Sequence, residues 1–249
     1  MAKAQRRRQP IRTRRSITSA APVQLNRLVR GWSGPDGSRV RLARPAEASE
    51  VDRLLKLTGE AMDPAMVEAI ATDVIAFGIR SALAERGSPT EPLRTFLVRG
   101  LTSGESTSVM AGLSTVLVAE DRAGDVIGAL FALPPAGVIA AGVEGGVPPM
   151  IAMSAALTVV KIKGVAVAER VQGRGHGAEL LKRAWQLYLH LDYYLAYGQF
   201  KVGTGLERYY PRRGFEVLAE GEGVSLQERL GVPLGIRPEP GERLFARWR

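Results

Sequence analysis

The stretch with the clearest chemical potential is VAVAERVQGRGHGAELLKRAW, residues 165–185. An apolar, strand-like run precedes the alternate glycines Gly173, Gly175 and Gly177, and a helix-forming run follows them. The first amides of a helix lack an intrahelical acceptor and carry partial positive charge, and glycine lets an anion approach them closely. The spacing therefore predicts a phosphate-binding turn, to which Arg174 adds a positive charge.

Two well-known phosphate motifs fit this stretch poorly. The nucleotide-hydrolase pattern G-x-x-x-x-G-K-S/T is absent from the sequence. The dinucleotide pattern G-x-G-x-x-G/A is matched by Gly173, Gly175 and Ala178, with Asp192 at a suitable distance. In that pattern the strand leads directly into the first glycine, whereas here the mostly polar residues 168–172 intervene. A nucleotide-binding oxidoreductase therefore remains the less favoured alternative.

The stretch resembles the acetyl-CoA motif of the GNAT superfamily of acyl-CoA-dependent N-acyltransferases. That motif is a strand, a few residues and then Q/R-x-x-G-x-G/A, which opens a helix. Gln172, Gly175 and Gly177 stand at its fixed positions. This resemblance implies that the bound phosphate is the pyrophosphate of acetyl-CoA.

A second motif of the same superfamily follows one strand later. It is a short helix that ends in Y-x-x-x-G-F, and Tyr210, Gly214 and Phe215 provide this pattern in YPRRGF. The order of the predicted elements also agrees with the superfamily. The resemblance covers residues 39–249, and the residues before them lie outside it.

The resemblance implies a role for each matching residue. The strand before the motif would offer backbone groups to the pantetheine arm and to the acetyl carbonyl, and the loop amides would hold the pyrophosphate. Arg174 would add a side-chain contact, and His176 could point toward the ligand or away from it. The implied cofactor-binding residues are Val165, Ala166, Val167, Gln172, Gly173, Arg174, Gly175, His176 and Gly177.

The implied reaction is direct attack of a neutral amine on the thioester of acetyl-CoA in a ternary complex, with a backbone amide that stabilises the oxyanion. Tyr210 would protonate the departing thiolate, because a phenol stays protonated at neutral pH yet has a pKa close to that of a thiol. Tyr209 is the second candidate for this role. A tyrosine at the end of a short helix is also a common packing residue, which is the alternative interpretation of Tyr210.

The sequence departs from the superfamily near this tyrosine. Members often carry an asparagine and an alanine where this chain has Gly203 and Leu206. No general base stands out, since Glu120 and Glu169 are expected to be ordinary surface acids and His190 a packing or surface residue. A non-catalytic acyl-CoA-binding regulatory module therefore remains an alternative.

The acceptor cannot be identified from the sequence beyond an amine on a small molecule or a protein. In the superfamily the acceptor site is shaped by regions that correspond here to residues 52–113 and 220–242. Residues 134–151 are rich in Gly and Pro, and we expect them to form a long loop that acts as a lid.

These motifs must be positioned by a mixed α/β fold of the α+β type, with a central, mainly antiparallel sheet flanked by helices. Residues 87–113 are ambiguous between helix and strand. The predicted strands are 39–45, 114–121, 126–133, 156–168, 193–200, 215–220 and 243–248. The predicted helices are 46–61, 63–86, 177–191 and a short one within 203–215.

Composition limits the chemistry. The chain has 249 residues, 45% of them hydrophobic, which is enough for a buried core. The sequence contains no cysteine, so disulfides, thiolate zinc sites and a cysteine acyl-enzyme are excluded. We expect no metal site and no membrane span, since the apolar run at 147–160 contains two prolines. We also expect a cytoplasmic location and a monomer or homodimer.

The formal net charge of +9 is concentrated at the N-terminus. Residues 1–30 hold nine basic residues and no acid, and the remainder of the chain is balanced. The division predicts a basic, disordered tail at 1–38 and a single domain at 39–249. A solvated tail is the favoured interpretation, and contact with a polyanion or a targeting role is the alternative.

Overall fold

The computed structural model describes residues 22–59 and 61–249; the predicted basic tail lies largely in residues 1–21, outside them. The strands are β1 (Trp32–Ser33), β2 (Arg39–Leu42), β3 (Thr115–Glu120), β4 (Val126–Leu133), β5 (Val159–Val167), β6 (Leu195–Lys201), β7 (Glu216–Val217), β8 (Val224–Ser225), β9 (Gly235–Ile236) and β10 (Glu242–Trp248). The helices are α1 (Leu25–Arg30), α2 (Ala48–Leu55), α3 (Pro64–Ala71), α4 (Phe77–Ala84), α5 (Thr90–Thr102), α6 (Ser106–Leu113), α7 (Ala136–Glu144), α8 (Pro149–Ser154), α9 (His176–His190) and α10 (Gln227–Leu230).

One large sheet organises the chain. Its strand order is β1-β2-β3-β4-β5-β6-β10-β7, and β8 and β9 form a separate ribbon. Within the described strands, β5 and β6 are the one parallel pair, and all other neighbours are antiparallel. The predicted fold class is confirmed. A dinucleotide-binding domain requires a series of parallel strands, so the described strands do not form the fold of the oxidoreductase alternative.

Strands β5 and β6 pair at their first residues only. Their register runs from Val159↔Leu195 to Lys161↔Tyr197, although β5 continues to Val167 and β6 to Lys201. On its other side β5 stays paired with β4, with a bulge that skips Lys163. The two strands therefore separate toward their carboxyl ends, and the sheet opens at its centre.

The sheet is covered on both faces, which explains why its central strands are continuous apolar runs. In β3, Val116 and Val118 belong to the core on the face of α2, whereas Leu117 and Ala119 belong to the core on the face of α9. This alternation is the two-residue period of a strand. Helix α9 carries the glycine loop at its start, so its packing on β3 and β4 fixes the loop beside β5.

Two predicted elements differ from the structure. The helix expected at 63–86 is divided into α3 and α4 by residues with positive φ at Asp73 and Ala76. The predicted loop at 134–151 is wrong, because these residues form α7 and the first half of α8, whereas a role as a lid stays a prediction. Proline begins α8, where its missing amide proton costs nothing, and the alanine and valine content of α7 outweighs its glycines. The ambiguous region 87–113 holds α5 and α6.

The structure also differs from the expected boundary at residue 38. Leu28 of α1 is fully buried, and Trp32 of β1 is buried and pairs with Val40 of β2. The arginines of α1 are therefore attached to a folded element. The chain joins the fold at least thirteen residues before the predicted boundary, since α1 begins at Leu25.

Arg41 lies fully buried between two carboxylates, those of Glu47 and Glu120. Its Nη2 lies 2.5 Å from Glu47 Oε1, and its Nε donates to Glu120 Oε2 at 2.7 Å. Burial raises the pKa of Glu47, but hydrogen bonds from Arg41 and Arg44 outweigh this effect and lower the pKa overall. Glu120 is buried and forms an ion pair with Arg41, so the prediction that Glu120 is an ordinary surface acid is wrong.

We expect Arg41→Met to lower the free energy of unfolding by about 3–5 kcal/mol, because it leaves two partly buried carboxylates without their partner. Urea denaturation followed by circular dichroism measures this change. Arg53→Met is the matched control, since its ion pair with Glu50 is exposed and should contribute under about 1 kcal/mol. Equal losses for the two variants would contradict a stabilising role of the buried cluster.

Candidate functional site

The glycine loop ends at the first turn of α9, where backbone amides are available to an anion. Gly175 precedes the helix with φ 92°, a conformation that favours glycine, and it supplies no side-chain cap. The first intrahelical bond is donated by Glu179 to the carbonyl of Gly175. The amides of His176, Gly177 and Ala178 therefore have no acceptor within the helix, as the phosphate-binding interpretation requires.

A cavity of about 370 Å³ lies in front of these amides. It is bounded by the start of α9, by the free edge of β5 and by the turn that follows β6. Its predicted lining residues are Val165, Val167, Gln172, Gly173, Gly175, His176, Gly177 and Tyr210, and it is also lined by Val171, Ala178, Leu206, Tyr209 and Arg213. The structure thus brings most of the predicted cofactor-binding residues together around one cavity.

A second cavity of about 600 Å³ adjoins the first. Both are lined by Val165, Val167, Gln172, Leu206 and Tyr210, so together they form one groove. The second cavity lies in the opening between β5 and β6 and includes the predicted residue Ala166. An elongated ligand could therefore pass from the glycine loop into the centre of the sheet.

The edge of β5 that faces this groove carries backbone groups that β6 does not pair. The amide of Ala168 donates to the carbonyl of Ile127 near the start of β4, so alternation along the strand turns the amides of Val165 and Val167 toward the groove. Among the described residues, the β5–β6 register does not reach these positions. The Gln172 side chain donates to the carbonyl of Val167 at 3.1 Å.

Gln172 forms hydrogen bonds with both its backbone amide and its side chain. Its backbone amide donates to the carbonyl of Glu169 at 3.1 Å, so this amide is already used within the loop. Together with the bond from its side chain to Val167, this makes Gln172 an anchor between the loop and β5. The Gln172 amide is therefore engaged within the loop, whereas the amides of His176, Gly177 and Ala178 have no acceptor within the helix.

The side chains of Arg174 and His176 point in different directions. His176 is buried, and its Nδ1 lies 3.3 Å from the hydroxyl of Ser38. Arg174 is exposed, lies 3.9 Å from Asp36, and is not part of the cavity lining. The turn around residues 35–38 therefore packs beside the glycine loop, a contact between distant parts of the sequence.

The two adjacent tyrosines occupy different places in the groove. Tyr210 lines both cavities, and its ring stacks on Phe245 with a centroid distance of 3.6 Å. Tyr209 lines only the cavity at the glycine loop, where the Arg213 guanidinium lies 3.5 Å above its ring centroid. Burial raises the pKa of both phenols above its ordinary value. Tyr210 thus packs in the aromatic core and also borders the junction of the cavities.

The sequence analysis did not predict the four charged residues that line the groove, which are Lys163, Lys201, Arg213 and Glu242. Arg213 borders the glycine-loop cavity, and its Nε is buried without a hydrogen-bond partner among the described residues. Glu242 borders the larger cavity, and its Oε2 is likewise buried without such a partner. The second basic residue of YPRRGF was a signal for Arg213, whereas nothing around Glu242 marks it in the sequence. Glu169 is exposed, as predicted for a surface acid.

Residues 22–59 and 61–249 contain no group of three or more histidine, cysteine, aspartate or glutamate side chains arranged to hold a metal ion. In the same residues, no helix combines the length and the apolar character needed to cross a bilayer.

No protein-family model matches the chain, and no curated protein matches it. Solved structures do match. Ard1 from Thermoplasma volcanium is 14% identical over 85% of this chain and 97% of its own, with a TM-score of 0.45. PaiA N-acetyltransferase from Thermoplasma acidophilum, in complex with coenzyme A, is 12% identical over 85% of this chain and 99% of its own, with a TM-score of 0.43.

A GNAT family acetyltransferase from Elizabethkingia anophelis with acetyl-CoA bound is 18% identical over 64% of this chain and 86% of its own, with a TM-score of 0.37. The resemblance to the GNAT superfamily rests on the two sequence motifs and not on these neighbours. At such identities and TM-scores, the similarity says nothing about the acceptor or the catalytic residues of this chain.

Proposed function

We propose that the chain is an N-acetyltransferase of the GNAT superfamily, which transfers the acetyl group of acetyl-CoA to an amine. The observation that carries this proposal is the groove in which three features meet. These are the helix-start amides of α9, the unpaired edge of β5 and the phenol of Tyr210. The two linked sequence motifs imply the same roles for His176, Gly177, β5 and Tyr210, but they do not include Ala178.

The groove supports a specific path for acetyl-CoA. The pyrophosphate would accept hydrogen bonds from the amides of His176, Gly177 and Ala178, and the Arg213 guanidinium would add charge at the same cavity. The pantetheine arm contains amides and has the chemistry to pair with the open edge of β5. Arg174, which lies outside the cavity, would act only after turning away from Asp36.

The reaction would take place where the two cavities join. The amine attacks the thioester carbonyl, and a β5 amide such as that of Val165 is oriented to donate to the developing oxyanion. Tyr210 would then give its proton to the departing thiolate. The phenol is protonated at neutral pH and can serve as a donor, and burial, which raises its pKa, makes it a weaker acid than an exposed tyrosine.

Release of free CoA thiol from acetyl-CoA in the presence of primary amines tests this function, with the acetylated product identified by mass spectrometry. The proposal predicts amine-dependent thiol release at a rate proportional to protein concentration. Tight acetyl-CoA binding without turnover would instead support the regulatory-module alternative. The cytoplasmic location and the monomeric or dimeric state expected from the sequence remain predictions.

We further propose that the basic N-terminal segment contacts a polyanion. Residues 1–21 contain Lys3 and six arginines without an acid, and they precede the first described helix. We expect deletion of residues 1–21 to shift elution from heparin to lower salt, because fewer counterions are released on binding. Acetyl transfer to small amines should be unchanged. Unchanged heparin elution after the deletion would contradict the proposal.

A further inference from the structure

Glu242 is the first residue of β10 and borders the 600 Å³ cavity together with Tyr210. Its Oε2 is shielded from solvent and has no hydrogen-bond partner among the described residues. A buried carboxylate oxygen without a partner is costly, and such an atom is expected where a ligand supplies the missing donor. The site described above assigns no role to this oxygen.

The charges around this oxygen are mixed. Lys163 and Lys201 border the same cavity, and Lys201 lies directly opposite Glu242 in the register of β6 and β10. No ion pair within 4 Å joins these two opposed residues. Among the described residues that line the cavity, Glu242 carries the one carboxylate. A cation entering the cavity therefore meets the carboxylate of Glu242 and, opposite it on β6, the ammonium group of Lys201.

We propose that Glu242 binds the ammonium group of the acceptor and accepts its proton, and that the acceptor carries no second positive charge. This inference rests on the proposed acetyl transfer. The carboxylate takes one ammonium proton, which leaves a neutral amine next to the thioester. The N–C bond forms, the C–S bond breaks, and Tyr210 protonates the sulfur. The second proton lost by nitrogen restores the phenol, so the net products are the amide, CoA thiol and one proton.

Lys201 defines the class of acceptor. A polyamine would place its second ammonium near the like charge of Lys201, which is unfavourable. An amine with a neutral far end would avoid this repulsion, and one with an anionic far end would meet attraction. The favoured substrate class is therefore a monoamine, in particular one with an anionic group several bonds from the nitrogen. Lys201, opposite Glu242, is the residue best placed to select for that group.

The test compares nucleophiles that differ in their need for a base. Glu242→Gln should lower kcat/KM for 4-aminobutyrate by about 100-fold, because this amine is protonated at pH 7. The kcat/KM for hydroxylamine, which is already neutral at pH 7, should change by less than about threefold in the same variant. Glu239→Gln, three residues earlier and exposed, is the matched control and should leave both rates unchanged.

Acceptor class is tested with two amines of similar length. The wild-type protein should use 4-aminobutyrate at least about 10-fold better than putrescine, and Lys201→Glu should reverse this order. Equal losses with 4-aminobutyrate and hydroxylamine would show that Glu242 is structural and overturn the proposal. A preference for putrescine, or acetyl-CoA binding without acetylation of any of the three probes, would also overturn it. Failure to bind acetyl-CoA at all would instead refute the proposed function.

Discussion

Replacing Gly177 with valine is expected to weaken acetyl-CoA binding by at least about 100-fold, or ~2.8 kcal/mol, without unfolding the protein. A Cβ at this position would lie 2.9 Å from the hydroxyl of Tyr209, and 3.5 and 3.8 Å from the side chains of Val167 and Val165. It therefore enters the groove between α9 and β5, where the ligand must pass. Gly177 has no positive φ, so a side chain is compatible with its helical backbone.

Isothermal titration calorimetry measures this loss of affinity, and circular dichroism measures the retained fold. The matched control is Gly137→Val in α7, because a Cβ there would meet nothing within 4 Å. Valine is a better helix former than glycine, so neither helix should be destabilised by its propensity. If the Gly177 variant bound acetyl-CoA as tightly as the control, the assigned path of the cofactor would be incorrect.

Replacing Tyr210 with phenylalanine is expected to lower kcat by about 10²–10⁴-fold, the range for loss of a general acid. Phenylalanine keeps the ring that stacks on Phe245, so stability and acetyl-CoA affinity should change little. Burial raises the pKa of the Tyr210 phenol above its ordinary value of 10.0. The wild-type rate should therefore show no alkaline loss from this group below about pH 10, where the phenol is still protonated.

Single-turnover kinetics with Tyr209→Phe as the matched variant separates the two adjacent phenols. Tyr209 borders only the glycine-loop cavity, so its variant should affect the KM for acetyl-CoA more than kcat. If kcat fell in the Tyr209 variant and stayed normal in the Tyr210 variant, Tyr209 and not Tyr210 would be the group that protonates the thiolate. A normal kcat in both variants would leave thiolate protonation to solvent.

Local sequence patterns predict most strands of the large sheet and the part of the groove that the glycine loop forms. The apolar runs of β3 and β4, the glycines before α9 and the YPRRGF turn each encode their own conformation within a few residues. The groove also depends on the separation of β5 from β6, which occurs because their parallel register ends at Lys161 and Tyr197. The motif resemblance implied such a groove, and the register shows how the backbone forms it.

The remaining part of the site depends on contacts between segments that are distant in the sequence, and hydrophobic periodicity cannot predict such contacts. Ser38 contacts His176, and Glu242 enters the groove because β10 returns beside β6 late in the chain. The Gly and Pro content of residues 134–151 predicts a loop. Helices form there instead, because proline is tolerated at a first helical turn and because Ile139 and Ala152 pack in the core. Propensity is a weak guide where tertiary burial decides.

Calorimetric titration of the full-length chain with acetyl-CoA, and separately with NADH and NADPH, tests the central claim most directly. The groove predicts one acetyl-CoA bound per chain, competition by free CoA, and no heat of binding for either dinucleotide. Saturable binding of NADH or NADPH, or no binding of acetyl-CoA by the folded protein, would contradict the claim.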